Sequence, residues 1–194
     1  MKQRRHKTVG QALVEFALAA TVIFFLLAAA VDLGLIFFTL QALRTAAQEG
    51  ATYGSYPIVV TNGGQVTEVR LNYQEIFRRI RFSGGANPSG IVNLFDLNGD
   101  GIDDANQSAV FSASNPTNPN GFVIIENPRG PNPASLSGAC ATTTPQVDMR
   151  NAGRNCWIRV TVRYRYQFFF PFALGRDIIL PVTFTMPIRS QFIG

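Results

Sequence analysis

The sequence predicts an α+β chain. A long N-terminal membrane-spanning helix packs on a small antiparallel-sheet domain with a second helix and long loops. Three observations predict it. Phe16 to Val31 is sixteen residues without a charge, and beyond Asp32 the uncharged run resumes from Leu33 to Leu43. Residues 83–155 are rich in Gly, Pro, Asn and Ser, as connecting segments are. Trp157–Tyr166 then alternates in polarity, with Arg159, Thr161, Arg163 and Arg165 on one side, which is the period of a half-buried strand.

Composition bounds the rest. The chain has 194 residues, of which roughly 140 follow the leader and span, enough for one modest domain. At 46% hydrophobic and 15% charged it is not a disordered chain. One apolar stretch of spanning length excludes a polytopic membrane protein. The net charge is +5, but Lys2, Arg4, Arg5 and Lys7 carry four of those charges. A near-neutral body behind a basic start reads as membrane topology, so no nucleic-acid partner is expected. His6 is the single histidine, so the body holds no Ser-His-Asp, Cys-His or His-ligated metal chemistry.

The span comes first. A helix rising 1.5 Å per residue needs about 20 residues to cross a hydrocarbon core of about 30 Å. With Phe16 at the inner face, Asp32 lies about 24 Å further along, near the outer boundary, where its carboxylate is expected to reach water. Four basic residues precede the span and the next is Arg44, which places the N-terminus inside and the body outside. The basic start, apolar run and Ala28-Ala29-Ala30 also suit a secretory signal peptide. Glu15 interrupts the start of the apolar run, however, and the helical pattern continues well past Ala30.

The helix is expected from about Ala12 to Tyr56, stopped by Gly54 and Pro57. Its later half carries a small-residue stripe of Ala42, Ala46, Ala47, Gly50, Ala51 and Gly54, suited to close packing within the subunit or against another. Asn62-Gly63-Gly64 is a turn. A second helix is expected over Val66–Arg81, with Val69, Tyr73, Ile76, Phe77 and Ile80 on one face. Arg78, Arg79 and Arg81 at its end suit the helix dipole, and are otherwise available to acidic lipid or a partner. Short strands are expected at Val92–Phe95 and Phe122–Glu126. An antiparallel pair follows from Trp157–Tyr166 and Ile178–Arg189, with Pro171 and Gly175 in the connection. The aromatic run Phe168-Phe169-Phe170-Pro171-Phe172 reads as core or interface.

The string Gly10-Gln11-Ala12-Leu13-Val14-Glu15-Phe16 resembles the processing site of type IV pilin-like proteins. The Glu-Phe pair resembles the Tad branch. Val31-Asp32-Leu33-Gly34 and Gln41–Ala51, with its Ala-Arg-Glu-Gly-Ala-like composition, are similar to TadE-like pseudopilins, so the resemblance covers roughly residues 8–55. It implies a leader at residues 1–10 cut by prepilin peptidase between Gly10 and Gln11. A transmembrane and extended helix would then cover 11–56 and an extracytoplasmic domain 57–194. The expected function is that of a structural, non-enzymatic minor pseudopilin of a Tad-type pilus. Its partners would be the peptidase, other pilin and pseudopilin subunits and the assembly platform. Its place would be the bacterial cytoplasmic membrane, in a single pass, the subunit either staying there or entering an extracellular pilus. Glu15, with Phe16 beside it, would set assembly register. A lone carboxylate in lipid costs roughly 2.5 kcal/mol or more, and the new α-ammonium of Gln11 lies one turn away. The alternatives are a single-span adhesive protein with a calcium-stabilised outer domain, and a secreted enzyme.

Two constellations remain. Asp96-Leu97-Asn98-Gly99-Asp100-Gly101-Ile102-Asp103-Asp104 places oxygen donors at Asp96, Asn98, Asp100 and Asp104, a turn glycine at Gly101, and a carbonyl at Ile102. This is a candidate calcium loop, departing from the EF-hand at position 12, where Gln107 stands for Glu. The alternative is a polar turn with solvated carboxylates. Cys140 and Cys156 flank fifteen residues. A disulfide there is expected to contribute about 3 kcal/mol in the chain-entropy model, the alternative being two separate thiols. No phosphate-binding motif or organic cofactor site is found. Packed carboxylates in one Gly-rich loop suit a cation better than a glycosidase pair.

Overall fold

The computed structural model describes residues 6–85, 92–128, 130, 140, 156–171 and 175–189. The fold is α+β, as expected, and among the described residues one apolar helix is long enough to span a membrane. Helix α1 runs unbroken over His6–Gly54, 49 residues and about 73 Å. Its two halves differ. From Leu13 to Leu27 the large apolar side chains are exposed, whereas Leu43, Ala46, Ala47 and Ala51 are fully buried.

The chain then turns into a hairpin, β1 (Ile58–Asn62) with β2 (Gln65–Arg70). Gly63 and Gly64 make its two-residue turn at φ 58° and 80°, left-handed values that glycine tolerates. This corrects the helix expected from Val66. Gln65–Arg70 alternates, and β-branched Val66, Thr67 and Val69 suit a strand paired to Ile58–Asn62. Helix α2 begins only at Tyr73 and ends at Phe82, with Asn72 as N-cap accepting from the Glu75 amide.

Val92–Phe95 is not a strand. The Asn93 side chain accepts from the Phe95 amide at 3.0 Å, a local turn that competes with strand pairing. Strand β3 (Val123–Glu126) forms as expected. It pairs antiparallel with β4 (Trp157–Gln167), which pairs with β5 (Asp177–Pro187) in the order β3-β4-β5. Pro181 lies opposite Arg163 within β5. An edge strand accepts a proline because the missing N–H can face away from its partner.

Ile158, Val160, Val162 and Tyr166 of β4 line the buried face of this sheet. The later half of α1 packs over it, and α2 packs on α1. The small-residue stripe makes that approach possible. A Cβ on Gly54 would lie 2.1 Å from Ile158 Cδ1, and one on Gly50 2.6 Å from Ile80 Cγ1. The stripe therefore serves packing within the subunit. Past β5, the Arg189 amide donates to Ser55 O at 2.7 Å and pins the end of α1. Cys140 and Cys156 form a disulfide, Cα–Cα 5.8 Å, with both residues buried. The whole loop it closes, 141–155, lies outside the described residues, as do residues 1–5 and 131–139.

Candidate functional site

The exposed half of α1 holds the first group of singled-out residues. Gly10, Gln11, Glu15 and Phe16 all lie on the helix and all are exposed, and no other group would crowd a Cβ on Gly10. Gln11 Nε2 donates to Glu15 Oε1 at 3.0 Å across one turn, so residue 11 is already the helical neighbour of the carboxylate. Beyond Glu15 the rod is apolar all round, with Phe16, Leu18, Val22, Phe24 and Leu26 each at least 60% exposed. Such a surface calls for lipid or other apolar partners in place of water.

Asp32 ends that rod, and its environment differs from the expectation. It is 1% exposed and does not reach water. Its Oδ1 accepts from the Phe169 amide at 2.9 Å and from the Tyr166 hydroxyl at 3.3 Å; Oδ2 accepts from the Phe170 amide at 3.1 Å. The reason is topological. The β4–β5 hairpin folds back along α1, bringing its open amides to the one acceptor on that stretch of helix. Burial, and then the negative Asp32 beside it, pushes the Tyr166 phenol up to about 12, so the hydroxyl stays a donor. The solvated boundary carboxylate expected from the sequence is instead a buried acceptor of three hydrogen bonds. The signal for this pairing in the sequence is a lone acid closing an uncharged run, together with Tyr166 and the phenylalanine string that follows it.

The Asp96–Asp104 loop forms a compact nest of turns. Asp96 Oδ1 accepts from the Gly99 and Asp100 amides, and its Oδ2 from Gly101. Asp100 Oδ1 accepts from the Ile102 amide, which lowers that carboxyl below its usual range. Gly99 and Gly101 take φ 71° and 82°. Asp104 is buried, and its Oδ2 accepts from the Leu97 amide at 2.6 Å while Oδ1 has no partner. Burial raises its carboxyl to about 7, the Leu97 amide opposing and Asp96 and Asp100 adding to the rise. Gln107 closes the loop: its Oε1 accepts from Asn98 at 2.8 Å, and its Nε2 reaches Asp100 Oδ1 at 3.3 Å and Ile102 O at 3.4 Å. Among the described residues, no three acidic, Cys or His side chains converge as a metal-ligand set.

The arginines of α2 have partners inside the chain. Arg78 and Arg79 pair with Glu75, and Arg79 also lies over the Tyr53 ring at 5.2 Å. Arg81 is buried, pairs with Asp103 and stacks at 4.8 Å over Phe95, tying α2 to the acidic loop.

Residues 10–52 match the family model described as TadE-like protein, so the N-terminal segment carrying Gly10, Glu15 and Asp32 is TadE-like. The match takes in the exposed rod and most of the buried half of α1 and stops just short of Gly54. The family is a structural, pilus-related one. No curated protein and no solved structure matches the chain.

Proposed function

We propose, from the TadE-like character of residues 10–52, that the chain is a minor pseudopilin of a Tad-type filament system with a structural role. It inserts with its N-terminus inside, is cut by prepilin peptidase between Gly10 and Gln11, and joins other pilin subunits at the assembly platform. One observation carries this reading. The family match begins at Gly10, and there the helix exposes an all-apolar rod whose single early charge is Glu15. Cleavage would put an α-ammonium on Gln11, the residue whose side chain already meets that carboxylate. Within a filament Glu15 would then pair with the amine of a neighbouring subunit and set axial register.

Glu15→Gln keeps the size and removes the charge. Processing and insertion should proceed as in wild type, because the carboxylate's proposed partner exists only after cleavage. Incorporation of the subunit into filaments should fall sharply. Wild-type incorporation, read by immunoblot of sheared filaments, would sink the register role.

We also propose that the Asp96–Asp104 loop takes a calcium ion outside the cell, with Asp96, Asn98, Asp100, Asp104 and the Ile102 carbonyl as donors. Two features support it: the glycine-supported turns, and the buried Asp104 oxygen that lacks a partner. The Gln107 amide sits where a bidentate glutamate would serve, so affinity should be weak, on the order of 10⁻⁴–10⁻³ M. Calcium at about ten times that constant should raise the melting temperature of the full chain by a few degrees. Asp100→Ala should remove the rise and Gln107→Glu should enlarge it. Equal melting in calcium and chelator for both wild type and Gln107→Glu would mean that the loop is a polar turn.

A further inference from the structure

The described residues at the end of the β4–β5 hairpin, Phe168–Pro171, are apolar, in part exposed, and tied to the membrane helix. Phe169 is 72% exposed, Pro171 is exposed beside it, and Phe170 stacks edge-on against Phe169 with centroids 5.0 Å apart. The hairpin is closed by the Phe168 amide donating to Arg176 O at 3.1 Å, which places an exposed arginine beside the aromatic end. Further out come Gln167 and the Arg165–Asp177 pair at 3.6 Å. From Phe169 the described part of the hairpin thus passes from aromatic to cationic to mixed charge, the order that a membrane interface selects.

Its height is set by Asp32. The sixteen uncharged residues from Phe16 to Val31 rise about 24 Å, short of the roughly 30 Å of a hydrocarbon core. A span that starts at Phe16 must therefore extend about one turn past Asp32. The carboxylate then lies inside the outer edge of the bilayer, and so do the Phe169 and Phe170 amides bonded to it. Exposed Val31, Leu33, Phe37 and Phe38 continue the same apolar surface along α1 at this level. A buried carboxylate at that depth needs its acceptors filled without water, and the hairpin end does this.

We infer that the hairpin end, Phe168–Pro171 with Arg176, is seated in the outer headgroup–acyl boundary of the membrane that α1 crosses, as a second lipid contact. This rests on α1 being a membrane span. Lipid is the occupant because the patch is continuous with the spanning surface and fixed to it at its outer edge.

The test uses the full chain in nanodiscs of phosphatidylethanolamine and phosphatidylglycerol. Trp157, the sole tryptophan, is replaced by Phe, and a reporter is placed by Phe169→Trp or by Phe24→Trp. Lipids carry a nitroxide either high on the acyl chain or near its end. The Phe169→Trp reporter should lose most of its emission to the shallow nitroxide and little to aqueous iodide, while Phe24→Trp should respond to the deep one. If Phe24→Trp responds but Phe169→Trp is quenched by iodide alone, the span stands and the hairpin contact is overturned. A Phe169→Trp reporter shielded from both iodide and lipid means that protein covers the tip, and also overturns it. If neither reporter meets lipid, the span itself fails and the contact with it.

Discussion

Replacing Asp32 by Ala should free the end of the β4–β5 hairpin. The substitution strands two backbone amides and the Tyr166 hydroxyl, all held by one buried carboxylate. Each unsatisfied buried group costs on the order of 1–3 kcal/mol, and the cheapest relaxation is for the hairpin end to lift from α1. A local loss of about 3 kcal/mol corresponds to roughly a hundredfold faster hydrogen exchange at the Phe169 and Phe170 amides. Val160 and Val162, deep in the sheet, should keep their protection. Asp32→Asn restores one carbonyl acceptor but turns an N–H toward a donor, so it should fall between. Unchanged protection at Phe169 and Phe170 in Asp32→Ala would show that the hairpin is held by its own strand pairing alone.

The second large effect is expected at Gly54. The residue ends α1 against Ile158 and Ile76, where a Cβ would meet Ile158 Cδ1 at 2.1 Å and Ile76 Cδ1 at 3.0 Å. The contacted atoms are the far ends of flexible side chains, so Gly54→Ala is partly accommodated and should cost about 1 kcal/mol. Gly54→Leu cannot be. It must push α1 off β4 at a cost of about 3 kcal/mol, a fall in melting temperature of roughly 10 °C for a domain of this size. The measurement is thermal unfolding of the full chain followed by Trp157 emission. If Gly54→Leu melts as wild type yet fails to enter filaments, the small-residue stripe faces a neighbouring subunit instead of the subunit's own sheet.

What could be read from the sequence divides by the range of the interactions involved. The unbroken helix, the strand pair after Trp157 and the Cys140–Cys156 bridge depend on long periodic patterns or on elimination, and these survive without tertiary context. The stretch Gln65–Arg70 did not. Its Val66 and Val69 fit a helical face as well as a strand, and only pairing with the short Ile58–Asn62 decides the matter. Val92–Phe95 has strand-like residues, but Asn93 captures the neighbouring amide instead. At the candidate site, the TadE-like character of the N-terminal segment was legible in the Gly10–Phe16 string because that string is contiguous in sequence. Asp32 was not, because its partners lie 134 to 138 residues away and two of them are main-chain amides. The Arg78–Arg81 cluster likewise looked free only until Glu75, Tyr53 and Asp103 were placed around it.

The proposed pseudopilin role depends most on what happens at Gly10. Intact-mass spectrometry of the chain from membranes with an active prepilin peptidase should find a mature N-terminus at Gln11. Gly10→Val should leave the leader attached, since a β-branched side chain crowds the bond to be cut. Recovery of wild-type chain with its leader intact, or cut near Val31 instead, would contradict the account.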